Sequence, residues 1–304
     1  FKQKTAYEIP KRDWSSDVCS SDLANRPTFN PNRYTESTQE SHRNTAIAGI
    51  YEPGSTFKIV TVAGAIEAGL AEPEEPIDCQ MGAINVAGHT IHDHMKFGVL
   101  TVSETFQKSS DVCSIKLALR MGNDKFYQYI RAFGFGEPTG IELPGEARGL
   151  TRPPERWWKA SIGAIAMGQE IGVTPLQIIT AASTVANAGV RVRPSILLDD
   201  PANHEVQLKL ASISEAKAQP AAAMRRVISA ETALKMQQMM AETVRQGTGK
   251  SALPKGYSAG GKTGTAQKLD PNTRTYSRNE YIASFAGFTP IDDPMFTKIG
   301  RAHV

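Results

Sequence analysis

The chain has 304 residues, 40% of them hydrophobic and 21% charged, with a net charge of +3. This is an ordinary globular composition, which excludes collagen-like, low-complexity and disordered classes, and the near-balance of charge argues against a nucleic-acid footprint. No stretch offers the roughly eighteen uncharged apolar residues that a membrane-spanning helix needs.

The two ends read differently from the rest. KQKTAYEI and DWSSDVCSSDL, within residues 1–23, and IGRAHV at the C-terminus are what common sequencing-adapter oligonucleotides give when translated. Residues 1–23 and 298–304 are therefore expected to be adapter-derived and to stand outside the fold argument. The expected domain is 24–297, incomplete at both ends. Setting the ends aside removes six basic and four acidic residues and leaves a net charge of about +1. Cys19 goes with them. Cys79 and Cys113 remain as lone cysteines, neither a disulfide framework nor a tetrahedral zinc set.

In chain order, residues 24–54 are polar and rich in turn formers. From Ser55, the residues Phe57, Ile59, Val60, Val62, Ile66 and Leu70 line a helix. Residues 71–100 read as loop and short strands. Helices are expected over 101–108 and 112–121, broken by Ser109-Ser110-Asp111, and over 124–133. Residues 136–160 are irregular. Pro175 opens a helix to Asn187, and Ser229 caps one that runs to Gln246. Residues 260–267 and 281–288 read as strands. Helices fill the middle and strands the end, which gives an α+β class.

Ser55-Thr56-Phe57-Lys58 places a hydroxyl and an ammonium one turn apart at a helix start. A serine needs a neighbouring base to act as a nucleophile, and a desolvated lysine can serve. The motif alone is common by chance. Ser109-Ser110-Asp111 at a helix break and Lys262-Thr263-Gly264-Thr265 on a glycine-flanked strand follow in the order of the penicillin-recognising serine enzymes.

The surrounding segments extend the likeness. YEPGSTFK (51–58), RNTAI (43–47), FGFGEPTGIELPGE (133–146), MGQEIGVTPLQ (167–177) and GGKTGTAQ (260–267) resemble class B penicillin-binding proteins, most of all their division-specific transpeptidase branch. The resemblance covers essentially all of 24–297. It implies the penicillin-binding protein/β-lactamase-like fold, an antiparallel sheet flanked by helices plus a helical lobe, here truncated at both ends. What remains of the sheet is expected to be little more than the hairpin of 260–267 and 281–288.

The resemblance also implies roles. Ser55 attacks the penultimate D-alanine of a peptidoglycan stem peptide, Lys58 takes its proton, and Ser109 passes a proton to the leaving amine. Lys262, Thr263, Gly264 and Thr265 line the substrate carboxylate site, and the Ser55 and Thr265 N–H groups form the oxyanion hole. Asp111 stands where asparagine is commoner; ionised aspartate only accepts hydrogen bonds, and beside Lys58 it would hold that lysine protonated. The implied partners are stem peptides, β-lactam antibiotics, a membrane glycosyltransferase and other division proteins, with no nucleic acid, cofactor or metal. The implied location is the outer side of the cytoplasmic membrane.

Other readings compete. A penicillin-sensing receptor domain would keep the acylated serine without cross-linking. A serine β-lactamase would need a water-activating residue, and no Glu-x-x-Leu-Asn pattern follows the middle motif. Gly256 to Thr263 matches the phosphate-loop pattern G-x-x-x-x-G-K-[ST], but lacks an apolar strand before it and a helix after it. His89, His92 and His94 could ligate a metal, although the family has a metal-free hairpin there. Trp157, Trp158, Met236, Met239 and Met240 read as packing residues.

Overall fold

The computed structural model describes residues 3–8, 19–24, 29–196, 224–252, 256–269 and 276–303. Twelve strands are present among them: β1 (Gln3–Glu8), β2 (Cys19–Ala24), β3 (Pro76–Asp78), β4 (Ala83–Val86), β5 (His89–His92), β6 (Val99–Thr101), β7 (Val190–Val192), β8 (Pro194–Ser195), β9 (Met224–Arg226), β10 (Gly260–Leu269), β11 (Tyr276–Thr289) and β12 (Phe296–His303). The helices are α1 (Thr45–Ala48), α2 (Lys58–Glu67), α3 (Val102–Lys108), α4 (Asp111–Ala132), α5 (Ser161–Ala166), α6 (Pro175–Ala186) and α7 (Ala230–Arg245).

The main sheet has six strands in the order β10-β11-β12-β1-β2-β8. This corrects the expected two-stranded remnant. β12 pairs antiparallel with β11 on one side and β1 on the other, and β2 pairs with β1. β1 and all of β2 but Ala24 lie within 1–23 and most of β12 within 298–304, so the end segments take strand positions; the rest of those segments lies outside the described residues. Antiparallel pairing is made by backbone groups, which every residue but proline supplies in full. α6 and α7 pack against β10, β11 and β12.

α2 runs through the centre of the helical lobe. Lys58 to Ile66 are all buried, as expected of a helix that is apolar on every side. It is tied at three points. Thr61 Oγ1 donates to the Ala166 carbonyl at 2.9 Å, Phe57 packs edge-on against Phe135 at 5.1 Å, and Glu67 Oε2 accepts from Ser229 N and Oγ at 2.9 Å each. The last contact joins the end of α2 to the cap of α7. α6 starts with a capping box between Thr174 and Gln177, with proline in its first turn.

Two helices expected over 112–133 form one, α4, with the backbone broken only at Gly122 (φ 73°, ψ 169°). Trp157 packs against Phe126 and Tyr127. Trp158 is 74% exposed, which corrects its reading as a packing residue.

Cys79 and Cys113 are not lone thiols: they form a disulfide across 34 residues, Cα to Cα 5.1 Å, with both residues fully buried. No local spacing rule pairs them; the fold brings the loop after β3 onto the first turn of α4. Closing a loop of this length stabilises by about 4 kcal/mol in the chain-entropy account. The Cys79→Ala/Cys113→Ala variant is expected to melt on the order of 5–10 °C lower in calorimetry.

Candidate active site

Ser55 lies in a single 3-10 turn, Gly54–Phe57, that runs directly into α2. Pro53, Gly54 and Thr56 are buried around it, while Ser55 itself stays partly exposed. The turn is closed by Thr56 Oγ1 donating to the Pro53 carbonyl at 2.9 Å and by Gly54 N donating to the Gly168 carbonyl at 3.0 Å. Three backbones meet here with no side chain between them. A Cβ on Gly54 would lie 2.7 Å from the Thr265 carbonyl oxygen, and one on Gly264 2.8 Å from the Pro53 oxygen and from Thr56 Cγ2. One on Gly168 would lie 2.7 Å from Gly54 N and C. Gly54 (φ 54°) and Gly168 (φ 84°) also hold left-handed backbone that disfavours any side chain.

β10 is the edge strand of the sheet, so one side of its backbone is unpaired with any strand. Period-two alternation buries Lys262, Gly264 and Ala266, while Thr263 is half-buried and Thr265 exposed. Thr263 Oγ1 is 2.6 Å from Thr248 Oγ1. A strand follows Lys262, not a helix, which rules out the phosphate-loop reading.

Ser109 joins two helices. It is the left-handed C-cap of α3 (φ 60°, ψ 39°), and Ser110 is the N-cap of α4. Both lysines singled out from the sequence converge on it. Lys58 Nζ donates to the Ser109 carbonyl at 2.7 Å and to Ser109 Oγ at 3.2 Å, and sits 2.6 Å from Asp111 Oδ1. Lys262 Nζ is 3.0 Å from the same Oγ, 3.2 Å from the Thr263 carbonyl and 5.6 Å from the Phe106 ring centroid. Both lysines are fully buried. Burial pushes the Lys262 amine well below the ordinary lysine range; the Lys58 charge adds to this and Asp111 opposes it.

Two groups were missed by the sequence reading. Asp93 follows β5, among the histidines weighed as ligands. Its carboxylate accepts from Ser110 Oγ at 2.7 Å, from Val112 N at 3.1 Å and from Asp111 N. It thus satisfies the free N–H groups at the start of α4. A solitary aspartate before a motif-bearing helix was its only signal. Glu52 stands three residues before Ser55 and accepts at Oε1 from Glu170 N (2.9 Å) and Tyr276 Oη (3.0 Å). Glu170 in turn accepts from Ser161 Oγ at 2.7 Å and pairs with Arg152. Burial pushes the Glu52 carboxyl and the Tyr276 phenol above their usual ranges. This network ties the serine turn to the loop after α5 and to the start of β11.

A partly exposed turn serine one helical turn before a buried lysine, a helix-junction serine and a lysine-bearing edge strand make up the arrangement of the penicillin-recognising serine proteins. Residues 21–299 match the penicillin-binding protein transpeptidase domain, and the chain belongs to that family. It is 37% identical over 284 residues to penicillin-binding protein PbpB of Mycolicibacterium smegmatis, covering 90% of this chain and 42% of that one. Stage V sporulation protein D of Bacillus subtilis is 36% identical (90% and 41% covered), and peptidoglycan D,D-transpeptidase FtsI of Escherichia coli K12 31% (91% and 43%). The chain spans about two fifths of the length of these curated relatives. The crystal structure of penicillin-binding protein 3 from Mycobacterium tuberculosis complexed with aztreonam superposes with a TM-score of 0.80 at 30% identity, covering 99% of this chain and 66% of that one. The penicillin-binding fold expected from the sequence is the fold observed.

Asparagine at position 111 would remove the anion beside Lys58 and keep an acceptor. Asp111→Asn is expected to retain measurable acylation by penicillin, read by quenched-flow mass spectrometry; complete loss with the fold intact would assign the carboxylate an indispensable role.

Proposed function

We propose that this chain carries the catalytic domain of a serine-type D,D-transpeptidase that cross-links peptidoglycan stem peptides and is acylated by β-lactams. The observation that carries the reading is the convergence of Lys58, Ser109, Asp111 and Lys262 beside the Ser55 turn, with β10 against that turn. Ser55 Oγ attacks the carbonyl of the penultimate D-alanine. The Ser55 and Thr265 N–H groups receive the oxyanion, each donor typically worth about 3 kcal/mol. The terminal D-alanine leaves, and an amine of a second stem peptide releases the acyl group and closes the cross-link. Thr263 and Thr265, with Lys262, hold the substrate carboxylate, and Gly264 lets β10 approach the serine turn.

We place the enzyme in septal wall synthesis, with a membrane glycosyltransferase and other division proteins as partners. The similarity to FtsI supports this. We place the domain outside the cytoplasmic membrane, held there by an anchor. Among the described residues no helix is long and apolar enough to cross a membrane. A buried disulfide fits an oxidising compartment.

Exposure of the 304-residue chain to penicillin is expected to add the mass of one opened β-lactam. Peptide mapping should place it on Ser55. An adduct elsewhere, or none, would overturn the reading.

A further inference from the structure

The loop that leaves α7 presents one hydroxyl to β10. Thr248 stands there between two glycines, Gly247 and Gly249. Both glycine N–H groups donate to the Thr243 carbonyl, at 3.1 and 3.0 Å. The last turn of α7, whose carbonyls have no partner within the helix, is thus closed by the residues on either side of Thr248. The glycines also let the loop sit close to its neighbours. A Cβ on Gly247 would lie 2.6 Å from the Gln107 carbonyl oxygen in α3, two residues before Ser109, and one on Gly249 3.4 Å from the Phe285 ring in β11. Thr248 is exposed, yet its Oγ1 is 2.6 Å from Thr263 Oγ1. Among the described residues each of these hydroxyls has only the other as a hydrogen-bond partner. Thr248 belongs to none of the three motifs.

A hydroxyl has one proton to give and two lone pairs, whereas an ionised carboxylate only accepts. The threonine pair therefore holds two protons and spends one on the bond between them. For Thr263 to donate to a carboxylate, the proton between the two oxygens must come from Thr248. Resting on the transpeptidase reading, in which Thr263 helps to hold the substrate carboxylate, we propose that Thr248 is a positioning residue of that site: it donates to Thr263 Oγ1 and so aims the Thr263 proton at the carboxylate of the stem peptide or the β-lactam. The arriving carboxylate selects this order of donors, because the reverse order leaves Thr263 with nothing to give. Donors in a chain polarise one another, so the bond from Thr263 is strengthened as well as aimed. Thr248 acts only through Thr263, on how ligands that carry a carboxylate are told from those that lack one. The loop that carries it is braced against the end of α3 and against β11, which fixes the hydroxyl relative to β10.

The test compares acylation of the 304-residue chain by benzylpenicillin and by its methyl ester, which has no ionised carboxylate. Thr248→Val keeps the shape of the side chain and removes the hydroxyl. Its second-order acylation constant should fall about tenfold on penicillin, the scale of a hydrogen bond to a charged group, and less than about twofold on the ester. Thr248→Ser should restore the value for penicillin. In a Thr263→Val background, Thr248→Val should change nothing further. An equal fall on acid and ester, or no fall on either, would overturn the proposal. So would losses that add in the double variant, which would place Thr248 on the ligand itself. A comparison without covalent chemistry separates this proposal from the reading it rests on. N-acetyl-D-alanine and its amide are titrated against the chain by NMR. The acid should bind more tightly, and Thr248→Val should weaken the acid about tenfold while sparing the amide. That result in a chain that penicillin never acylates would strike the transpeptidase reading and leave the role of Thr248 standing. A preference for the acid that is absent, or untouched by Thr248→Val, would sink that role.

Discussion

Ser55→Ala is expected to show no covalent adduct after prolonged exposure to penicillin, with an unchanged melting temperature. The chemistry is lost because the other hydroxyl of the Gly54–Phe57 turn, that of Thr56, is buried and committed to the Pro53 carbonyl at 2.9 Å. Stability is kept because the Ser55 side chain is partly exposed and makes no hydrogen bond among the described residues; such substitutions usually cost within about 0.5 kcal/mol. Intact-mass spectrometry and thermal melting read the two halves separately. A residual adduct in this variant would place the nucleophile elsewhere.

Gly168→Ala is expected to damage both fold and chemistry, although residue 168 carries no functional group. The added methyl group would meet Gly54 backbone atoms, which have no rotamer by which to give way. The left-handed backbone of Gly168 adds strain of about 1–3 kcal/mol. Either the loop after α5 retreats and breaks the bond from Gly54 N to the Gly168 carbonyl, or the serine turn shifts. A shift on the order of 1 Å at a reacting centre can cost about 10²-fold in rate. We expect acylation at least about 10²-fold slower and a stability loss of about 3 kcal/mol or more, measured by denaturant titration beside acylation kinetics. Wild-type acylation in this variant would show that the backbone contact does not position the nucleophile.

The parts of this molecule legible in its sequence are those where chemistry and local periodicity coincide. The Ser55–Lys58 spacing, the break at Ser109-Ser110-Asp111 and the strand bearing Lys262 all appear where expected. α6 and α7 also follow their proline, serine and glycine punctuation. What stayed hidden depends on segments meeting at long range. The Cys79–Cys113 bond needs the loop after β3 to reach α4. The Glu52–Tyr276 bond needs β11 to reach the serine turn. The strands at 3–8 and 19–24 are held by backbone pairing, to which side-chain patterns gave no guide. The pairing of Lys58 with Asp111 was anticipated as a consequence of the unusual aspartate.

The excursion that carries Cys79 and Asp93 lies outside all three motifs, yet both residues fasten the first turn of α4. The disulfide holds one side of that turn and the carboxylate holds its exposed amides. Insertions or substitutions in β4, β5 and their connection could therefore drift through the lineage of this domain and retune the Ser109–Asp111 junction by small displacements, while every residue of the motif stayed the same. A hairpin that looks ornamental is the handle by which heredity can adjust the site without rewriting it.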